Sequence, residues 1–426
     1  MDEPGIAAPR WVRLGAAGAA ALPLAAAGAG AAAFSVQMDD ASFVRHYLVP
    51  ISFAEPTVAP WTLGALAAVA AALLLLGAAA VFRWALGQSG RAVAGAALRI
   101  ALALVLALAV SEAIARRWRR EFYAVRFGND FGGPHPRYGW EPRPSSETRR
   151  HLRVRPDVVY RFDADGNRAA SRSARPDYQA PTVFLAGESI ALSYSLPWEE
   201  GIAARLQRKL GVQVVNAAVS AYAADQTALR IEDALPRYLH PLAVVAFFPT
   251  LMLTRDLCDF RPRLELREDG ALELVPASNG LLSRLVLREE LVNYFPWMGE
   301  ARLRKSLRLA AAIELDLARK VRARGAAPLF VVPSFGPRRA LDEHREAFVV
   351  REVFAAQGLP YLVADWDQRI PFDGHPDAAG AEQIAEAIAS ALRPLLPSAT
   401  RSASRTRPCR DAGWRGRSRP RWRASG

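Results

Sequence analysis

The sequence predicts an α/β fold, a parallel sheet covered by helices, preceded by an N-terminal transmembrane helical region. Two observations predict it. Between residues 157 and 397, short apolar runs alternate with amphipathic stretches, the pattern of strands separated by crossover helices. Before residue 120 the chain is built from long uncharged runs of Ala, Leu and Val that suit lipid better than water. Its 426 residues, 51% of them hydrophobic, exceed a typical single domain of roughly 100–200 residues. Four regions are expected: 1–120 with two or three transmembrane helices, 121–156 as a Pro- and Arg-rich connector, 157–397 as the α/β domain, and 398–426 as a disordered basic tail.

Trp61 to Phe82 contains no charge, and about 20 apolar residues suffice to cross a bilayer core. A second candidate runs from Ala92 to Ala115, where Arg99 and Glu112 shorten the uncharged centre to Ile100 through Ser111. Leu14 to Gln37 is uncharged but rich in Ala and Gly, with Pro23, and reads either as a weak span or as a signal peptide ending near Ala31-Ala32-Ala33. Arg10 and Arg13 before the first stretch, acidic residues in the next loop, and Arg83 and Arg91 after the second give the order inside, outside, inside. The third helix then places the C-terminal domain outside, on the periplasmic side. Arg116-Arg117-Trp118-Arg119-Arg120 on that outer flank runs against the rule.

The formal charge of +13 comes from 52 Arg and 3 Lys against 42 acids, an Arg and Ala bias that reads as codon usage and not as phosphate selection. Nine of those Arg and one Asp lie in the tail from Ser398 to Gly426, which has too few aliphatic residues to order itself. No nucleic-acid partner is expected. Only Cys258 and Cys409 are present, and the His are scattered, so neither a disulfide framework nor a metal site is predicted, and no cofactor is implied.

In the α/β region, strands are expected at Thr182–Ala186, Val212–Val215, Ala243–Phe248, Leu329–Pro333 and Tyr361–Ala364. Helices are expected at Trp198–Leu210, Tyr222–Leu239, Glu300–Arg324, Glu343–Gln357 and Ala378–Leu392. Ligands in open sheets of this kind bind beyond the carboxyl ends of strands, where Gly187-Glu188-Ser189 follows the first strand. A serine hydroxyl is a weak nucleophile until an imidazole takes its proton and a carboxylate orients that imidazole. Asp373-Gly374-His375-Pro376-Asp377, just before the last helix, supplies both groups.

Phe184-Leu185-Ala186-Gly187-Glu188-Ser189 resembles the first block of the SGNH hydrolases, the GDSL-type esterases, with Glu188 where Asp is usual. Asn216-Ala217-Ala218-Val219-Ser220-Ala221-Tyr222 with Asp225-Gln226 resembles the second block, its glycine falling on Ala221. Asp373-Gly374-His375-Pro376 followed by Gly380 resembles the last. Upstream, Tyr160-Arg161-Phe162 and Asp165-Gly166-Asn167-Arg168 look like the lead-in hairpin of membrane-anchored bacterial members. The third block departs from the pattern, with Leu251 where an asparagine donates to the oxyanion; Thr250 or Thr254 are the compatible substitutes.

The resemblance implies a three-layer α/β/α, flavodoxin-like SGNH hydrolase domain. Ser189 would be the nucleophile, His375 the base and Asp373 the acid, with the Ser189 and Ala221 N–H groups and Thr250 as the oxyanion hole. It implies a membrane-anchored serine esterase acting on acyl or O-acetyl esters of a small molecule, lipid or carbohydrate. An O-acyltransferase acting on cell-envelope carbohydrate would use the same residues, and a non-catalytic envelope protein of the same fold is the reading that Leu251 favours. Asp377, Asp365 and Asp367 are rival acids, Asp377 also suiting a helix start; His344 reads as a solvated helix residue and Cys258 as a packed one. Asn216 reads either as a site residue or as a tie between a strand end and the next loop. The segment 260–296 reads as an insertion with a hairpin that shapes substrate choice.

Overall fold

The computed structural model describes residues 9–47, 60–126, 132–152, 155–259, 261–278, 280, 285–286, 297–335, 340–366, 368–370 and 374–396. Two units result, residues 1–45, 56–120 and 285–291 in one, and 46–55, 121–284 and 292–426 in the other.

The first unit is helical. It comprises α1 (Arg10–Gln37), most of α2 (Asp40–His46), α3 (Pro60–Leu86) and most of α4 (Gly90–Arg126). Within these, Trp11–Gln37, Trp61–Leu86 and Gly90–Arg117 are each long and apolar enough to cross a membrane, which makes the unit compatible with membrane association. α1 runs through Pro23 without ending and packs on α3. The helices approach closely at Gly28, where a β-carbon would lie 2.8 Å from Leu75 Cγ, and Ser35 Oγ donates to Gly64 O at 2.8 Å. Glu112, late in α4, is neutralised locally by Arg116 one turn on, at 2.6 Å.

The second unit is an α/β domain. Its strands are β1 (Gly133–His135), β2 (Gly139–Glu141), β3 (Glu147–Leu152), β4 (Arg155–Phe162), β5 (Arg168–Ala169), β6 (Thr182–Ala186), β7 (Gln213–Asn216), β8 (Pro241–Phe247), β9 (Arg263–Leu266), β10 (Leu272–Val275), β11 (Ala327–Phe335) and β12 (Tyr361–Trp366). Eight of them form one sheet in the order β12-β11-β8-β6-β7-β5-β4-β3. The first five in that order are parallel, and β5, β4 and β3 add antiparallel strands beyond β7. The helices are α5 (Ser189–Leu192), α6 (Ile202–Leu210), α7 (Ala224–Ala234), α8 (Met252–Arg255), α9 (Glu300–Ala323), α10 (Ala340–Val349) and α11 (Ala378–Leu392).

The three layers follow from strands that are apolar on both faces. Val183 and Leu185 of β6 and Ala243, Val245 and Phe247 of β8 pack with α6 and α11, whereas Phe184, Ala186, Val244 and Ala246 pack with α7 and α9. A strand covered on both sides reads as a continuous hydrophobic run, which is why β6 falls at its expected bounds.

The sheet is mostly parallel, as expected, with three antiparallel strands added at one side. The stretch expected as a connector also carries structure: β1 and β2 form a hairpin, and β3 pairs with β4 as the sheet edge. The reason is compositional, because β3 reads Glu-Thr-Arg-Arg-His-Leu, and a charged edge strand lacks the apolar alternation by which strands are recognised. The helix expected at 343–357 begins at Ala340, passes into a π-helical turn at Val350–Phe354 and closes with a 3-10 turn at Ala355–Gln357. The hairpin expected in the insertion is β9 paired with β10. Residues 281–284 and 287–296 of that insertion, and the tail 398–426, lie outside the described residues.

Candidate active site

β6 ends at Ala186, and the chain turns through Gly187 into α5, whose first residue is Ser189. Gly187 is required twice over: its φ is +134°, and a β-carbon there would sit 2.7 Å from Phe247 Cβ on β8. Glu188, 2% exposed, is the N-cap of α5, and its Oε1 accepts from the Ile190 N–H at 3.0 Å. Its other oxygen, Oε2, accepts from Ser189 Oγ.

His375 reaches Ser189 from the far end of the sheet. Its Nε2 lies 2.8 Å from Ser189 Oγ, across 186 residues of sequence. The loop that carries it is clamped by its own backbone: the Ile370 N–H donates to His375 O at 2.9 Å, and Arg369 bridges Pro376. α11 then begins at once, with Asp377 Oδ1 accepting from the Ala379 and Gly380 N–H groups at 2.9 Å each. Gly380 lets that first turn press on the end of β12, since a β-carbon would lie 2.6 Å from Gln368 O and 2.9 Å from Trp366 Cδ1. The Tyr194 ring lies 5.0 Å from the His375 ring, between centroids.

Ser189 Oγ therefore has one proton and two neighbours able to accept it. When the hydroxyl points to Glu188, His375 Nε2 must carry its own proton to hold the 2.8 Å contact; when it points to His375, the imidazole can serve as base. The longer Glu in place of Asp brings this second acceptor to the hydroxyl, an interaction the sequence did not reveal.

The loop after β7 runs beside the nucleophile turn: the Ala217 N–H donates to Leu185 O at 2.8 Å and the Val219 N–H to Gly187 O at 3.0 Å. Ala221, two residues on, has φ +65°, a conformation normally left to glycine. Asn216 acts as a tie, with Nδ2 donating to Ala191 O at 3.1 Å while Oδ1 accepts from the Ala218 N–H at 3.1 Å. After β8, Thr250 is buried at 2% exposure in the turn that leads into α8. The Thr254 hydroxyl donates to Leu251 O at 2.7 Å within its own turn.

Asp373 and Asp367 lie outside the described residues. Asp377 is occupied as a helix cap, His344 is exposed on α10, and Cys258 Sγ lies 3.8 Å from Thr254 O. No group of three or more metal-ligating side chains occurs among the described residues.

Fold and site together define an α/β domain with a serine–histidine pair at the carboxyl end of its central strand. No family model and no curated protein matches the chain. Among solved structures it is similar to a lipolytic protein of the G-D-S-L family from Desulfitobacterium hafniense DCB-2, at 12% identity and a TM-score of 0.29 over 49% of this chain and 98% of that one. A G-D-S-L lipolytic protein from Veillonella parvula DSM 2008 aligns at 10% identity and a TM-score of 0.30, over 49% and 96%. An acetyl xylan esterase from the rumen bacterium Butyrivibrio proteoclasticus aligns at 10% identity and a TM-score of 0.28, over 52% and 65%.

Proposed function

We propose that this protein is a membrane-anchored serine ester hydrolase of the SGNH type, acting on acyl or O-acetyl esters. The observation that carries the reading is the 2.8 Å contact between His375 Nε2 and Ser189 Oγ, made by residues from opposite ends of the domain. In the first half-reaction the Ser189 proton passes to Nε2 as Oγ attacks the ester carbonyl. The Ser189 and Ala221 N–H groups, with the Thr250 hydroxyl, receive the oxyanion, and His375 returns its proton to the departing alcohol. Water, deprotonated by the same imidazole, then releases the acid from the acyl-serine. Asp373 is assigned to orient the ring from its place two residues before His375.

The charge pattern around the three apolar helices supports an extracytoplasmic catalytic domain. The same charge and hydropathy pattern supports the assignment of 1–120 as membrane region, 157–397 as hydrolase domain and 398–426 as basic tail. Purified full-length protein in detergent should hydrolyse a short-chain aryl ester and label with a fluorophosphonate. Ser189→Ala should abolish labelling and lower kcat by roughly 10⁴-fold or more. Unchanged hydrolysis in that variant would refute the reading.

A further inference from the structure

Arg168 is a buried cation on β5, 2% exposed. Burial pulls its guanidinium down to about 10, so it remains charged at neutral pH. A desolvated charge of this kind is strongly unfavourable unless hydrogen bonds compensate it. Here the hydrogen bonds are accepted by main-chain carbonyls, while Nε has no hydrogen-bond partner among the described residues. Nη1 donates to Leu192 O and to Ser193 O, the latter at 2.7 Å, and Nη2 donates to Leu196 O. The guanidinium carbon also stands 4.6 Å from the centroid of the Tyr160 ring.

These carbonyls belong to the turn that follows Ser189. Within it Ser193 and Ser195 have φ +59° and +64°, left-handed conformations that are unfavourable for residues with a β-carbon and persist only where surroundings impose them. The surroundings are visible: the Ser195 N–H donates to Tyr160 Oη at 2.6 Å, and Ser193 Oγ accepts from the Ile202 N–H at 2.8 Å. Asn216, paired with Arg168 across β5 and β7, holds the adjoining Ala191 O. Two side chains from one cross-strand pair thus hold four carbonyls of a single turn. The turn is joined to the nucleophile by the Tyr194 N–H, which donates to Ser189 O at 2.8 Å, and it carries the ring that lies against His375.

We propose that Arg168 is a positioning residue for this reaction: by fixing the 192–196 turn it holds the Tyr194 ring, and through it the His375 imidazole, in register with Ser189. The inference rests on the hydrolase reading. Displacing a catalytic pair by about 1 Å lowers turnover by as much as 10²-fold with little effect on binding.

The test uses full-length protein in detergent, with wild type first shown to label with fluorophosphonate and to hydrolyse an aryl ester. Arg168→Met is expected to lower kcat and the labelling rate by 10–100-fold with KM within about twofold. Arg168→Lys keeps the charge but not the planar fork, and is expected to recover more of the Tm than of kcat. Tyr194→Ala should lower kcat in the same way, and it reads the proposal even where Arg168→Met fails to fold. Wild-type kcat in folded Arg168→Met, or in Tyr194→Ala, overturns the proposal and leaves the hydrolase reading intact. Wild-type protein that neither labels nor hydrolyses overturns both.

Discussion

Ala221 stands where its backbone asks for glycine. At φ +65° its β-carbon crowds the carbonyl, at a cost of about 1 kcal/mol, and the residue is assigned an oxyanion N–H. Ala221→Gly should therefore raise stability by up to about 1 kcal/mol in thermal or urea unfolding, the added freedom of the unfolded chain offsetting part of the relief. Thr250 is the side-chain donor assigned where Leu251 replaces an amide. Thr250→Val, which keeps shape and removes the hydroxyl, should lower kcat by roughly 10²-fold while leaving KM near wild type in steady-state assays. Ser189 and His375 could be named from sequence because both sit in short motifs. The Glu188 carboxylate on Ser189 Oγ could not be, since it depends on how a longer side chain folds back over the helix start.

At the scale of elements, α7, α8 and α9 meet around buried acids. Asp225 pairs with Arg261 at 2.8 Å and also accepts from the Leu264 N–H of β9, which fastens the insertion hairpin to the start of α7. Asp256, at the end of α8, accepts from the Asp225 N–H at 3.3 Å, and Glu314 comes from α9. Burial first, then the neighbouring Asp225, pushes Asp256 up to about 8, and burial raises Glu314 well above its ordinary value. The Arg261 guanidinium acts on both Asp225 and Asp256, and Asp256 Oδ2 and Glu314 Oε2 have no hydrogen-bond partner among the described residues. From the ordinary carboxylate range up to about 8, the unfolded chain releases the Asp256 proton while the folded chain keeps it. Asp256 therefore contributes a stability that falls as pH rises through that window. Asp256→Asn removes this contribution, so its Tm gain over wild type should be larger at pH 8 than at pH 4 in scanning calorimetry. The elements legible in sequence were those buried on both faces, such as β6. β3 escaped notice because Arg149 and Arg150 sit on a charged edge, whereas β5, whose Arg168 holds the nucleophile turn, pairs with β4 in the hairpin that Tyr160-Arg161-Phe162 and Asp165-Gly166-Asn167-Arg168 led one to expect.

For the whole molecule, the division between apolar helices and an α/β unit was legible from composition alone, because a bilayer span needs a length of uncharged chain that no surface helix has. The protein should accordingly remain with membranes through an alkaline carbonate wash and leave them only in detergent, as followed by immunoblot of the two fractions. Release by carbonate would contradict the assignment of the three helices. The distance in sequence between Ser189 and His375 also sets a time. At about 5–20 residues per second, synthesis delivers the imidazole roughly 10–40 s after the hydroxyl. A nascent chain thus carries a serine without its base for that interval, and the proposed chemistry is silent until the last helix has docked on the sheet.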